Sequence, residues 1–172
     1  MFDVHTTFLS VWYWVALAGF WSAATHFTHG VPYGAMWRAA RHGGEDAALC
    51  DALARSGLAR IAEATRQWGA VVAAAGGFGL AALAMAGLVA GMEPALGLLV
   101  MAAPAAAMAV AGLVEALELA EAPPPPAELL GRLFRRRRLN QLFATGGVLL
   151  AAAAMASLHW DRLAFLGGAT RL

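Results

Sequence analysis

The five histidines are the residues best suited to chemistry in this sequence. His26 and His29 stand three apart at the end of the first apolar run, and on a helix that spacing places both imidazoles on one face. Two imidazoles are half of a tetrahedral metal site. A metal here needs further ligands, with His42 and the single cysteine, Cys50, nearest in sequence. His5 precedes the first apolar run and His159 follows the last, so a bundle brings them to similar depth. Two imidazoles from different helices can hold a haem from opposite faces, although haem-binding bundles normally place such histidines inside the spans. For both pairs the expectation is an interfacial histidine with no cofactor, with a metal at His26 and His29 or a haem at His5 and His159 as the alternatives.

Among the acids, Glu115, Glu118 and Glu121 repeat every three residues and form one stripe. The expectation is that they lie at the membrane surface and pair with Arg135, Arg136, Arg137 and Arg138, where each exposed pair contributes little. Proton or cation handling is the alternative for Glu115, the member nearest the apolar run. One cysteine excludes an internal disulfide and a CxxCH haem attachment, and HExxH, GxGxxG and phosphate-loop sequences are absent. A net charge of +1 offers no field for nucleic acid.

The elements that must position these residues are apolar runs. The chain has 172 residues, 60% hydrophobic and 13% charged, against about 25% charged in soluble domains. A spanning helix needs about 20 mostly apolar residues. Four stretches qualify, at about 8–28, 69–91, 95–114 and 140–158, and none contains Asp, Glu, Lys or Arg. The expected fold is all-α: a single membrane domain over 1–172, a four-transmembrane-helix bundle with short cytoplasmic interfacial helices in loops 30–67 and 122–139.

All twelve cationic side chains are arginine, and ten lie in those two loops. The positive-inside rule places both loops in the cytoplasm of a bacterial inner membrane, which puts both termini on the periplasmic side. The uncharged run after the acidic start MFDVH is read as a retained helix, since a signal peptide opens with positive charge. Trp12, Trp14 and Trp160 fall near the outer interface, Trp37 and Trp68 near the inner one, and Trp21 deeper. In the first loop, Gly43-Gly44 is a break, and Glu45 or Asp46 opens a helix, with an apolar stripe of Leu49, Leu53, Leu58 and Ile61, that either lies on the membrane or runs on into the second span. In the second, Pro123 to Pro126 predict an extended segment of about 12 Å, followed by an interfacial helix whose Arg135 to Arg138 reach lipid headgroups.

Small residues indicate where helices meet. Gly69, Ala73, Gly77 and Ala81 are four apart, and Gly87 and Gly91 add a GxxxG; such a stripe predicts close approach of another helix, within the bundle or from another protein. Pro104 predicts a kink in the third span. Dry spans without catalytic residues, small-residue faces and an aromatic first span point to a non-catalytic accessory or assembly subunit of a larger membrane complex, with an energy-transducing complex as a natural host. Its expected partners are membrane lipids and other membrane subunits. A small oligomeric transporter or channel is the main alternative, and a haem- or metal-binding membrane protein the next.

Overall fold

The computed structural model describes residues 7–160. These residues are mostly helical, with one small hairpin. Helix α1 spans Val11–His26, preceded by Ser10. Strands β1 (Phe27–Thr28) and β2 (Val31–Pro32) pair antiparallel, Phe27 with Pro32 and Thr28 with Val31. The two turn residues, His29 (φ 49°) and Gly30 (φ 83°), are both left-handed, as the tightest hairpin connection requires. Pro32 then leads into α2, Tyr33–His42, which Gly43 ends at φ 64°.

Helix α3 runs unbroken over Gly44–Ala84, with Glu45 and Asp46 in its first turn. Its 41 residues rise about 60 Å, twice the thickness of a hydrocarbon core. A π-helical turn, Met85–Val89, and Gly91 at φ 69° reverse the chain into α4, Glu93–Glu121. A β-carbon on Gly87 would lie 2.8 Å from the Leu96 backbone, so this glycine lets α3 and α4 close on each other at the reversal. Helix α5 covers Pro126–Leu158. The arginine run therefore lies within a long helix continuous with the last apolar stretch, and not in a separate interfacial helix. Residues 127–158 contain no proline, and the Glu128–Arg132 pair at 2.8 Å supports the first turns.

Three of these elements are long and apolar enough to cross a membrane: Gly44–Val89, Glu93–Glu121 and Pro126–Leu158. At 16 residues, α1 is about 24 Å long, a little short of the core thickness by itself.

The buried side chains form two separate cores. At the arginine-rich end, Met36 of α2, Cys50 and Leu58 of α3, Leu119 of α4, and Leu129 and Leu133 of α5 close around one another. The long helices thus extend past their apolar stretches to build a second helical layer. Toward the opposite end, Phe8, Leu17, Trp21 and Ala151 join α1 and α5, with Leu96 and Met108 of α4 against them. Here Gly147 is filled by the indole of Trp21, which a β-carbon would meet at 2.6 Å. Gly147→Ala is expected to lower stability by about 1–3 kcal/mol through overpacking. Gly146, which faces open space, is the control, and its alanine variant should melt no lower than wild type in detergent.

The middle of α3 joins neither core. Residues 70–78 are exposed at every position, so two and a half turns stand clear of the bundle on all faces.

Candidate functional site

The hairpin, α4 and α5 bring ionisable groups together where the two cores meet. The hairpin turn holds His29 with its side chain 6% exposed. Glu115 projects from α4, one turn before the buried Leu119. From α5 come Arg135 and Arg136, the latter buried to 5% in its side chain. Glu115 Oε2 lies 3.5 Å from His29 Nε2 and 3.8 Å from Arg136 Nε, while Oε1 lies 3.8 Å from Arg135 Nη2. The His29 contact is at ion-pair distance without hydrogen-bond alignment, so its Nε2 makes no hydrogen bond.

Arg136 reaches this place because Gly112 leaves room. A β-carbon there would stand 2.9 Å from Arg136 Nη2, and the guanidinium passes over Gly112 to donate to the Met108 carbonyl. One turn further along α5, Asn140 is buried at 6% exposure and its Oδ1 has no partner; Thr28 Oγ1 and Trp21 Nε1 are likewise buried and unpartnered. The next arginine, Arg137, turns the other way and donates through Nη1 to the Thr25 carbonyl at 3.0 Å, holding the end of α1. Both oxygens of Glu115 thus face cations. The arrangement ties hairpin, α4 and α5 into one joint.

A second buried polar group lies at the opposite end. Glu93, the first residue of α4, accepts the Phe8 backbone N–H at 2.7 Å and faces His159 Nε2 at 3.4 Å. The carboxylate sits at a helix N-terminus, where the dipole favours it. Nearby, Trp14 Nε1 donates to the Phe8 carbonyl at 2.9 Å and Tyr13 donates to the Gly97 carbonyl at 3.2 Å.

The sequence candidates are distributed across these places. His5 lies outside the described residues, so the His5–His159 pair is not placed; His159 itself is turned to Glu93. Helix α1 ends at His26, so His26 and His29 do not share a helical face. The ring of His26 is exposed and edge-on to Phe27 at 4.7 Å, while His29 is directed at Glu115. Among the described residues no group of three or more His, Cys, Asp or Glu is arranged to hold a metal. Of the acidic stripe, Glu115 turns inward and Glu118 and Glu121 stay exposed. Trp12 is exposed, Trp14 half-buried and Trp21 buried. Ala73, Gly77 and Ala81 are exposed and Gly69 meets only the Thr65 methyl of its own helix, whereas Gly87 and Gly91 serve the reversal into α4. Arg135 and Arg138 are exposed, Arg136 is buried and Arg137 is half-buried.

Sequence reasoning missed Gly112 and Asn140, and it read Glu93 as part of a solvated outer rim, whereas the structure buries it. A signal for Glu93 was present in its place just before Pro94 at a helix start. Asn140 was visible as the one amide aligned with Arg136 at helical spacing. Neither the known family models, nor the curated proteins, nor the solved structures offer a match to this chain.

Proposed function

We propose that this chain is a non-catalytic accessory or assembly subunit of a larger bacterial inner-membrane complex. It crosses the membrane four times, with the arginine-rich ends of its helices in the cytoplasm and both termini on the periplasmic side. The observation that carries this reading is the middle of α3. Residues 70–78 are uncovered on every face, and the face bearing Ala73 and Gly77 is shaped for another helix, since small residues let backbones approach closely. A lipid-facing helix gains nothing from such a stripe. Among the described residues, Glu93, Glu115, Arg136 and Arg137 join one element to another, which suits a scaffold. For α1, Phe8 to Ser10 and the hairpin supply the length that the helix itself lacks.

The test is co-purification of the tagged chain from native membranes in mild detergent. A stoichiometric membrane partner is the expected result, and a lone monomer sinks the proposal. Leucine at both Ala73 and Gly77 is expected to release that partner. The chain should melt unchanged in isolation, because both positions face open surroundings.

The buried group of Glu115, Arg136 and His29 supports a second reading, a small oligomeric transporter, since ionisable residues at membrane depth mark transport paths. That reading requires the paired variant Glu115→Gln, Arg136→Met, which strands neither charge, to abolish flux in vesicles while leaving assembly intact.

A further inference from the structure

We propose that the outward face of α2, together with Arg137 of α5, binds the phosphate of an anionic phospholipid. Tyr33 and Trp37 are one turn apart on α2 and are 41% and 43% exposed. Each carries a guanidinium over its ring: Arg137 Cζ lies 4.2 Å from the Tyr33 centroid, and Arg41 Cζ lies 5.0 Å from that of Trp37. One helical turn advances about 5.4 Å, so the two rings that carry these cations lie on neighbouring turns of one face of α2. Stacking occupies the flat face of a guanidinium and leaves its in-plane N–H groups free to donate. Arg137 spends one of these on the Thr25 carbonyl, which fixes it in place at the end of α1.

Charge balance indicates what is missing. Asp46 faces Arg38 and His42, Asp51 faces Arg55, Glu128 faces Arg132, and Glu115 faces Arg135 and Arg136. Among the described residues, Arg41, Arg60, Arg66, Arg137 and Arg138 have no carboxylate within ion-pair distance, and of these Arg41 and Arg137 are the two held over aromatic rings. Two positioned cations without a counter-ion complement a phosphodiester, whose oxygens accept in-plane N–H groups in the geometry a guanidinium offers. A lipid, as opposed to free phosphate, is favoured by what lies alongside. Phe27, paired with Pro32 just before Tyr33, is 54% exposed and gives an acyl chain an apolar surface below the headgroup. Tyrosine and tryptophan are also the residues that settle at headgroup level. The site does not depend on what covers α3.

The experiment is native mass spectrometry of the full chain released from nanodiscs of mixed phosphatidylcholine and phosphatidylglycerol. Wild type is expected to retain phosphatidylglycerol preferentially. Arg41→Gln together with Arg137→Gln should lower that retention about tenfold, as the loss of one good charge-assisted contact does, whereas Arg138→Gln should leave it unchanged. Arg41 is exposed and holds no other element, so Arg41→Gln alone keeps the test valid if Arg137→Gln fails to fold, and it should still lower retention measurably. Undiminished retention in the folded variants overturns the proposal. So does displacement of the lipid by millimolar inorganic phosphate, which would mark a site for small anions.

Discussion

Arg136→Ala is expected to destabilise the protein by about 3–5 kcal/mol, the cost of stranding a buried charge. Glu115 would keep only the exposed Arg135 at 3.8 Å and the imidazole of His29 at 3.5 Å, in surroundings that solvate a carboxylate poorly. Glu115→Ala should be similarly damaging, because it leaves the Arg136 guanidinium buried with only the Met108 carbonyl as an acceptor. The pair itself is a weaker source of stability than either single variant suggests, since desolvation offsets most of its attraction. The double variant Glu115→Gln, Arg136→Met should therefore recover most of the loss. Unfolding midpoints of wild type, Glu115→Gln, Arg136→Met and this double variant in one detergent form a double-mutant cycle. Additive losses, with no recovery in the double variant, would show that the two side chains do not act as a pair. If transport is the function, the same set separates the roles, because the stable double variant would fold and carry no flux.

The apolar runs, their approximate limits and the concentration of arginine in two segments were legible because each is a local property of the chain. The continuity of α3 was legible for the same reason: its stripe of Leu49, Leu53, Leu58 and Ile61 runs at helical spacing into the uncharged stretch. The joint between the two cores was not. His29 meets Glu115 across 86 positions of sequence, and Phe8 meets Glu93 across 85; no periodicity links residues so far apart. The hairpin was missed because strands of two residues carry no alternation to read. Its only local signal was His29-Gly30 followed by Val31-Pro32, a turn residue pair and then a helix-stopping proline. Treating residues 122–139 as a loop misplaced Arg136. Four prolines suggested a long extended segment, yet Pro126 is the first residue of α5, a position that suits proline because its missing N–H has no helical partner to lose. The helix that follows carries Arg136 inward on the face it shares with Leu129, Leu133 and Asn140.

The second large effect is expected at Gly57→Ala. In most helix interiors this exchange stabilises by about 1 kcal/mol, since alanine loses less backbone entropy. Gly57 is buried in α3 where the hairpin crosses it, and a β-carbon there would stand 2.1 Å from the His29 carbonyl oxygen and 3.2 Å from its carbon. Both are backbone atoms, held by a turn whose residues are already at φ 49° and 83°, so no side chain can rotate out of the way. The hairpin must lift, and that movement draws His29 away from Glu115 and loosens Val31 from the core it fills. A loss of about 3 kcal/mol or more is expected, at the upper end of overpacking costs. The control is Gly76→Ala on the same helix, where nothing lies within 4 Å; it should be neutral or stabilising. Cys50, 3% exposed in the adjoining core, supplies a second readout: its thiol should react with maleimide slowly in wild type and faster in Gly57→Ala. If Gly57→Ala and Gly76→Ala melt alike and the thiol stays protected in both, then the hairpin does not rest on α3 at Gly57. The route by which His29 reaches Glu115 would have to be different.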